Sequence, residues 1–340
     1  MTDTAAASPA PAAPPTPLVA RVPTALFGAV LGLGGLANGW RVAGRLWGVP
    51  LAIGDALAVA ALLVWATVAV LIALKWAKAR PAARGEMLHP VMGGFLGLAP
   101  VATMIAGVAI GPLVGSLGSA LTIAGLLGQA VFSVWFVGRL WTGGRGAEAT
   151  TPVLYLPTVG GSFVAAMALA GLGLKDASVM AFGAGFVSWL VLEAVMWQRL
   201  LHQPALAVPL RATMGIHMAP PAVGLVAYLA ATGGTVDLMA LMLFGYALLQ
   251  AAVTARLFGW LSEQPFGAPW WAYSFAISAL PTGAMRLAEG GSQTAALLAP
   301  GLFLVANLII GWFALRSVML IAKGKYVPPM QPPAPPPQAG

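Results

Sequence analysis

Chemistry needs groups that ionise, coordinate or attack, and this chain offers few. It holds three histidines (His89, His202 and His217), nine acidic residues and no cysteine. Without cysteine there is no disulfide, thiolate metal site or thiol nucleophile. The histidines lack metal-ligand spacing, and the chain contains no HExxH or GxSxG string and no carboxylate pair placed for acid–base work. The run from Gly32 to Ala37 superficially suggests a dinucleotide loop. It lies inside an apolar stretch with no preceding strand, so it is not one. The chain therefore reads as neither an enzyme nor a cofactor or metal protein. What remains is a handful of polar groups set into long apolar segments, among them His217, Glu193 and Asp55, and such placements call for a reason.

The segments that carry them are membrane-like. Of 340 residues, 59% are apolar and 8% charged, too little charge to solvate a soluble fold of this length. A bilayer core of ~30 Å needs about 20 mostly apolar residues per helix. Ten such stretches run at about 22–44, 52–77, 89–110, 114–140, 153–174, 177–199, 211–231, 236–260, 268–288 and 294–321. Long uninterrupted runs and the lack of short alternating strands give an all-α integral membrane protein of ten transmembrane helices. Residues 21–326 form that single domain. Residues 1–20, rich in Ala and Pro, and the Pro-rich residues 327–340 read as disordered tails.

Thirteen of the 17 Lys and Arg residues fall on the face that holds both termini. The other face holds Arg41, Arg45, Lys175 and Arg286. This bias places both termini in the cytoplasm, and the expected location is the cell inner membrane. The formal net charge of +8 belongs to the membrane interface and requires no nucleic-acid partner.

Span starts recur about every 60 residues, one for each pair of helices, which suggests five helical hairpins. Prolines mark the odd helices at Pro100, Pro157, Pro220, Pro221 and Pro281, while the first helix is rich in glycine. Proline frees a carbonyl, and in lipid that group must be satisfied by protein or water. The odd helices are therefore expected inside, around a central path, with the even helices outside.

No acidic residue sits in the middle of an odd helix, which argues against a cation path. Five helix N-termini at the cytoplasmic face, with Arg21, Arg84, His89, Arg145 and Arg211 at or just before them, would attract small anions. Asn38, Thr103, Ser162, Thr213, Ser278 and Thr282 are the polar groups expected along the path. Glu193 is expected to pair with Arg211 or Arg199. His217, three residues before Pro220, admits two roles, a proton-relay group or a packing histidine.

Several strings carry a resemblance. The first helix reads Pro23-Thr24-Ala25-Leu26-Phe27-Gly28-Ala29-Val30-Leu31-Gly32, and the seventh opens Arg211-Ala212-Thr213-Met214-Gly215-Ile216. The ninth opens Trp270-Trp271-Ala272-Tyr273-Ser274-Phe275; Tyr155-Leu156-Pro157, Phe182 to Gly185, Trp189 and Glu193 complete the set. From Arg21 to about Tyr326 the chain resembles the tellurite-resistance/dicarboxylate transporter family, in its bacterial TehA branch, which is related to plant slow anion channels. The resemblance implies ten helices as five hairpins, a pore lined by the odd helices, and a homotrimer with one pore per subunit. It also implies a phenylalanine gate at Phe275, with Gly28 facing the ring. His217 stands where that branch would place an apolar residue. A gated anion channel or uniporter is expected, with a proton-coupled carrier of C4-dicarboxylates or other small organic acids as the alternative.

Overall fold

The computed structural model describes residues 17–327; residues 1–16 and 328–340, most of both expected tails, lie outside the described residues. The described chain is helical and contains no strand. It has ten helices of eleven or more residues: α1 (Gly28–Trp47), α2 (Leu51–Lys78), α3 (Leu98–Ile110), α4 (Gly115–Trp141), α5 (Gly161–Gly171), α6 (Lys175–His202), α7 (Met214–Ala231), α8 (Leu238–Arg256), α9 (Ser274–Glu289) and α10 (Gln293–Ala322). Leu18–Arg21, Arg80–Leu88 and Phe258–Leu261 form shorter helices.

Eight segments are long and apolar enough to cross a membrane. They are α2, α4, α6, α8 and α10, together with α3, α5 and α7 counted with the turns that precede them. Helices α1 and α9 occupy the other two expected spans but fall short. Helix α1 is rich in glycine and carries Arg41 and Arg45, while α9, even counted with its lead-in turn, is diluted by Ser, Thr and Pro and ends in Arg286 and Glu289. Both would be poor lipid-facing helices, and both are sheltered by protein on most of their surface.

The odd helices share a feature that the even ones lack. Each begins with a tighter or looser turn than an α-helix: Thr24–Phe27, Met92–Gly97, Val208–Thr213 and Ala268–Tyr273 are 3-10 turns that lead directly into α1, α3, α7 and α9. Helix α5 is preceded by a 3-10 turn at Pro152–Leu154 and a π-helical turn at Leu156–Gly160. The Pro157 carbonyl in that π turn accepts from Gln129 Nε2 at 2.7 Å and Ser133 Oγ at 2.6 Å, both on α4. This is how the chain satisfies a carbonyl at an irregular turn within apolar surroundings.

Helix α1 packs on α3 and α9, α3 on α5, α5 on α7, and α7 on α9. Each odd helix also packs on the even helix that follows it. Burial separates the two sets. In the apolar stretch ending in α7, 72% is buried, against 17% in α2 and 22% in α6.

A buried ion pair ties the start of α1 to its surroundings. Lys75 Nζ donates to Glu86 Oε2 at 2.5 Å and to the Val22 carbonyl at 2.8 Å. Glu86 Oε1 in turn accepts from the Thr24 N–H at 2.8 Å, at the first lead-in turn. His89 and Gln264 play the same part at other starts. His89 Nδ1 accepts from the N–H groups of Val91 and Met92, and Gln264 Oε1 accepts from Ala212 N–H. These side chains meet donors that short helical turns leave open.

Candidate functional site

Phe275 is the second residue of α9 and is buried. It borders two small cavities of about 40 and 30 Å³. The first is lined by Ala25, Gly28, Phe95, Leu98 and Trp271, on the side of the lead-in turns. The second is lined by Val101, Tyr155, Phe163, Pro220 and Val223. Leu31, Leu156, Ile216, Ala219 and Phe275 border both. These shared walls come from α1, the π turn before α5, α7 and α9, and α3 adds Leu98 and Val101. All five odd segments therefore meet around these two cavities, and Phe275 is the one aromatic residue common to both. Each space holds no more than a few waters, and its walls are apolar.

Helix α9 is held against α1 by matched small residues. A Cβ added at Gly32 would run into the Ser274 side chain. At Gly35 it would lie 3.1 Å from Ser278 Cβ and 3.8 Å from Phe275 Cδ2, and at Gly39 it would lie 2.9 Å from Thr282 Oγ1. The hydroxyls on α9 turn back to their own chain. Ser274 donates to Trp271 O at 2.7 Å, Ser278 to Phe275 O at 3.0 Å and Thr282 to Ser278 O at 2.7 Å. Ser278 and Thr282 are thus packed and satisfied. Gly28 lines the first cavity with Phe275, but its missing side chain points at Trp271, whose Cβ would be 3.3 Å away.

The other expected path residues lie outside the lining of these two cavities. Asn38 accepts from Arg41 Nη1 at 3.3 Å. Thr103 accepts from Trp65 Nε1 of α2 at 2.9 Å and donates to Ala99 O. Ser162 lies beside Gly185 of α6. Thr213 donates to Leu210 O at 2.6 Å. None of these borders either cavity beside Phe275.

The arginines expected at the mouth are mostly engaged. Arg211 Nη1 donates to Glu263 Oε2 at 2.6 Å and to Trp260 O at 2.7 Å, and its guanidinium stacks 4.3 Å from the Trp260 ring centre. Arg145 donates to Pro90 O and Ala149 O. The buried Nε of Arg21 has no hydrogen-bond partner among the described residues. Arg84 is exposed.

Glu193 pairs with neither Arg211 nor Arg199. Arg199 donates to the carbonyls of Thr150 and Pro204. Glu193 Oε2 instead accepts from Tyr155 OH at 2.6 Å and Trp189 Nε1 at 3.1 Å, and Oε1 accepts from Tyr246 OH at 2.7 Å. His217 Nε2 lies 3.9 Å from Oε1, and Nδ1 lies 3.4 Å from the Tyr155 hydroxyl. Sequence reasoning missed this cage, whose members come from four separated segments. Only the i, i+4 spacing of Trp189 and Glu193 signalled part of it.

Residues 21–320 match the family model described as voltage-dependent anion channel, SLAC1. The chain belongs to the SLAC1 family of anion channels. It is similar to the tellurite resistance protein TehA homolog of Haemophilus influenzae, with 34% identity over 310 residues covering 90% of this chain and 92% of that protein. It is also similar to the S-type anion channel SLAH3 of Arabidopsis thaliana, with 25% identity over 314 residues. That match covers 90% of this chain and 49% of the longer plant protein. Membership in the SLAC1 family makes the chain a multi-pass membrane protein of anion transport and not an enzyme.

Proposed function

We propose that this SLAC1-family protein is a channel or uniporter for small anions, gated by Phe275. Ten spans arranged as five hairpins would place α1, α3, α5, α7 and α9 in an inner ring around the path. The observation that carries this reading is the meeting of all five odd segments around two small apolar cavities whose one shared aromatic residue is Phe275. An anion entering such a constriction would lose its hydration with no polar group to replace it, a cost of several kcal/mol or more. The ring in this position corresponds to a closed path. Gly28 and Leu31 give the path its wall on the α1 side, and the small residues of α1 let α9 approach closely enough to present Phe275.

The same reading places the protein in the inner membrane as a homotrimer, with both termini in the cytoplasm and the odd helices starting there. A link to tellurite resistance follows from likeness to the TehA homolog. The test is anion flux and current with purified protein in liposomes, wild type against Phe275→Ala. Removing the ring should raise conductance, and an unchanged current rejects Phe275 as the gate.

A second reading, a proton-coupled carrier of C4-dicarboxylates or other small organic acids, draws support from His217 lying beside Glu193 within the helices. It requires anion uptake driven by a proton gradient and lost in His217→Ala.

A further inference from the structure

The Glu193 cage has three donors and a fourth side where no hydrogen bond forms. Two tyrosine hydroxyls and an indole N–H satisfy the carboxylate at 2.6 to 3.1 Å, an arrangement made for an acceptor-only group. The fourth side is His217. At 3.9 Å its Nε2 is beyond hydrogen-bond length from Oε1, yet close enough to pair when the ring is charged. Both side chains are largely buried.

The surrounding elements supply no other charged partner for the ring. The π-turn segment contributes Tyr155 and α8 contributes Tyr246, both donating to Glu193. Helix α6 contributes Arg199, which borders a small cavity with His217 but donates to two backbone carbonyls. The lead-in to α9 contributes Tyr273, which donates to Arg211 O, and the lead-in to α7 contributes Arg211, paired with Glu263.

His217 also sits at a mechanical junction. Its chain neighbour Ile216, and Ala219 two residues on, border both cavities beside Phe275. Tyr155, which holds Glu193 through its hydroxyl, borders the second cavity with its ring. One face of α7 thus touches the Phe275 site while His217 on another face looks toward Glu193 on α6.

We propose that Glu193 and His217 form a buried proton-binding site whose occupancy sets how tightly α7 packs around Phe275. A proton taken up from water onto the imidazole lone pair makes an imidazolium facing Oε1. Closing the gap to hydrogen-bond length draws α7 toward α6 and away from Phe275, which loosens the constriction. Acid therefore favours conduction. The proton acts as a ligand that stays at its site and is not carried with the anion. This inference rests on the Phe275 gate, because conductance is its readout.

The test is chloride and nitrate flux through the full chain in liposomes at equal pH on both sides, from about pH 8 to 5, the range in which an imidazole titrates. Wild-type flux should rise roughly threefold or more across that range, and His217→Gln and Glu193→Gln should flatten the response. A flat wild-type profile, or a His217→Gln protein that keeps the wild-type profile, overturns the proposal. So does a reversal potential that follows an imposed proton gradient, because the proton is then cargo. If Glu193→Gln does not fold, His217→Gln alone decides the matter, since it leaves the three donors to Glu193 in place. The gate and the proton site fail separately. An unchanged Phe275→Ala flux removes the gate, whereas loss of the pH response in His217→Gln is read with Phe275 intact.

Discussion

Gly35 and Phe275 are close enough that a methyl group on Gly35 would touch the ring, with Cβ 3.8 Å from Cδ2. The same methyl would press on Ser278 at 3.1 Å. The absence of a side chain at Gly35 therefore helps fix where Phe275 stands. Gly35→Val should push α9 off α1 and cost about 1–3 kcal/mol by overpacking. The check is thermal unfolding in detergent together with flux, and both should change. A Gly35→Val protein with wild-type stability and flux would show that the close approach of α1 and α9 is unimportant.

Ile216 shares both cavities with Phe275. Filling that space should oppose the effect of emptying it. Flux raised by Phe275→Ala should fall again in the double variant Phe275→Ala, Ile216→Trp. A double-mutant cycle on conductance reads this coupling, which is expected because the two residues border the same spaces. Simple additivity would separate Ile216 from the constriction.

Lys75 is buried against Glu86. Glu86→Ala leaves a buried ammonium without its carboxylate and removes the acceptor for Thr24 N–H. Breaking one side of such a pair costs about 3–5 kcal/mol. Replacing both partners, Lys75→Met with Glu86→Leu, should recover much of the loss. Unfolding midpoints of the three proteins test the order.

The Pro157 carbonyl depends on two donors from α4. Removing both with Gln129→Leu and Ser133→Ala leaves it unsatisfied among buried residues, at a cost of about 1–3 kcal/mol. Either single change should cost less, because the other donor remains. Melting of the singles against the double decides this, and a neutral double variant would mean that another group caps the carbonyl.

Asp237 lies in the loop before α8 and caps that helix through Ala240 N–H at 3.0 Å. Tyr228 OH also donates to it. The Tyr228 hydroxyl, followed by the Ala240 N–H, holds the carboxyl below the usual range. A group depressed in the folded state stabilises above its unfolded value of about 3.9 and loses that contribution as pH falls through its folded value. Asp237→Asn should therefore show a smaller loss of thermal stability on acidification below about pH 4. Melting curves across that range provide the check, and an identical acid response would remove Asp237 from the account.

Eight of the helical segments were legible because lipid imposes length and composition on a span, and Leu51–Lys78 shows this in one glance at its residues. The odd–even contrast was legible through Pro100, Pro220 and Pro281, which sit inside helices that prove well buried. The lead-in turns were not legible, because 3-10 or π geometry at Met92–Gly97 or Leu156–Gly160 is settled by neighbours far away in the chain. The partners of the polar candidates were not legible. Thr103 and Ser278 have hydroxyls that a helix can satisfy internally, so residue type alone says nothing about which way they face. The partners of Glu193 were hidden for a related reason, since Tyr155 and Tyr246 reach it from segments 38 and 53 residues away.

Glu86 has one more effect. It places a carboxylate, tethered to Lys75, at the first of five corresponding helix starts, while His89 and Gln264 meet theirs through an imidazole nitrogen and an amide oxygen. Five-fold likeness of the backbone is therefore not five-fold likeness of the field. Lys75 neutralises that carboxylate, so this start presents a fixed dipole and no net charge to an approaching ion. In the proposed path the field at the mouth would therefore be uneven without any added net charge.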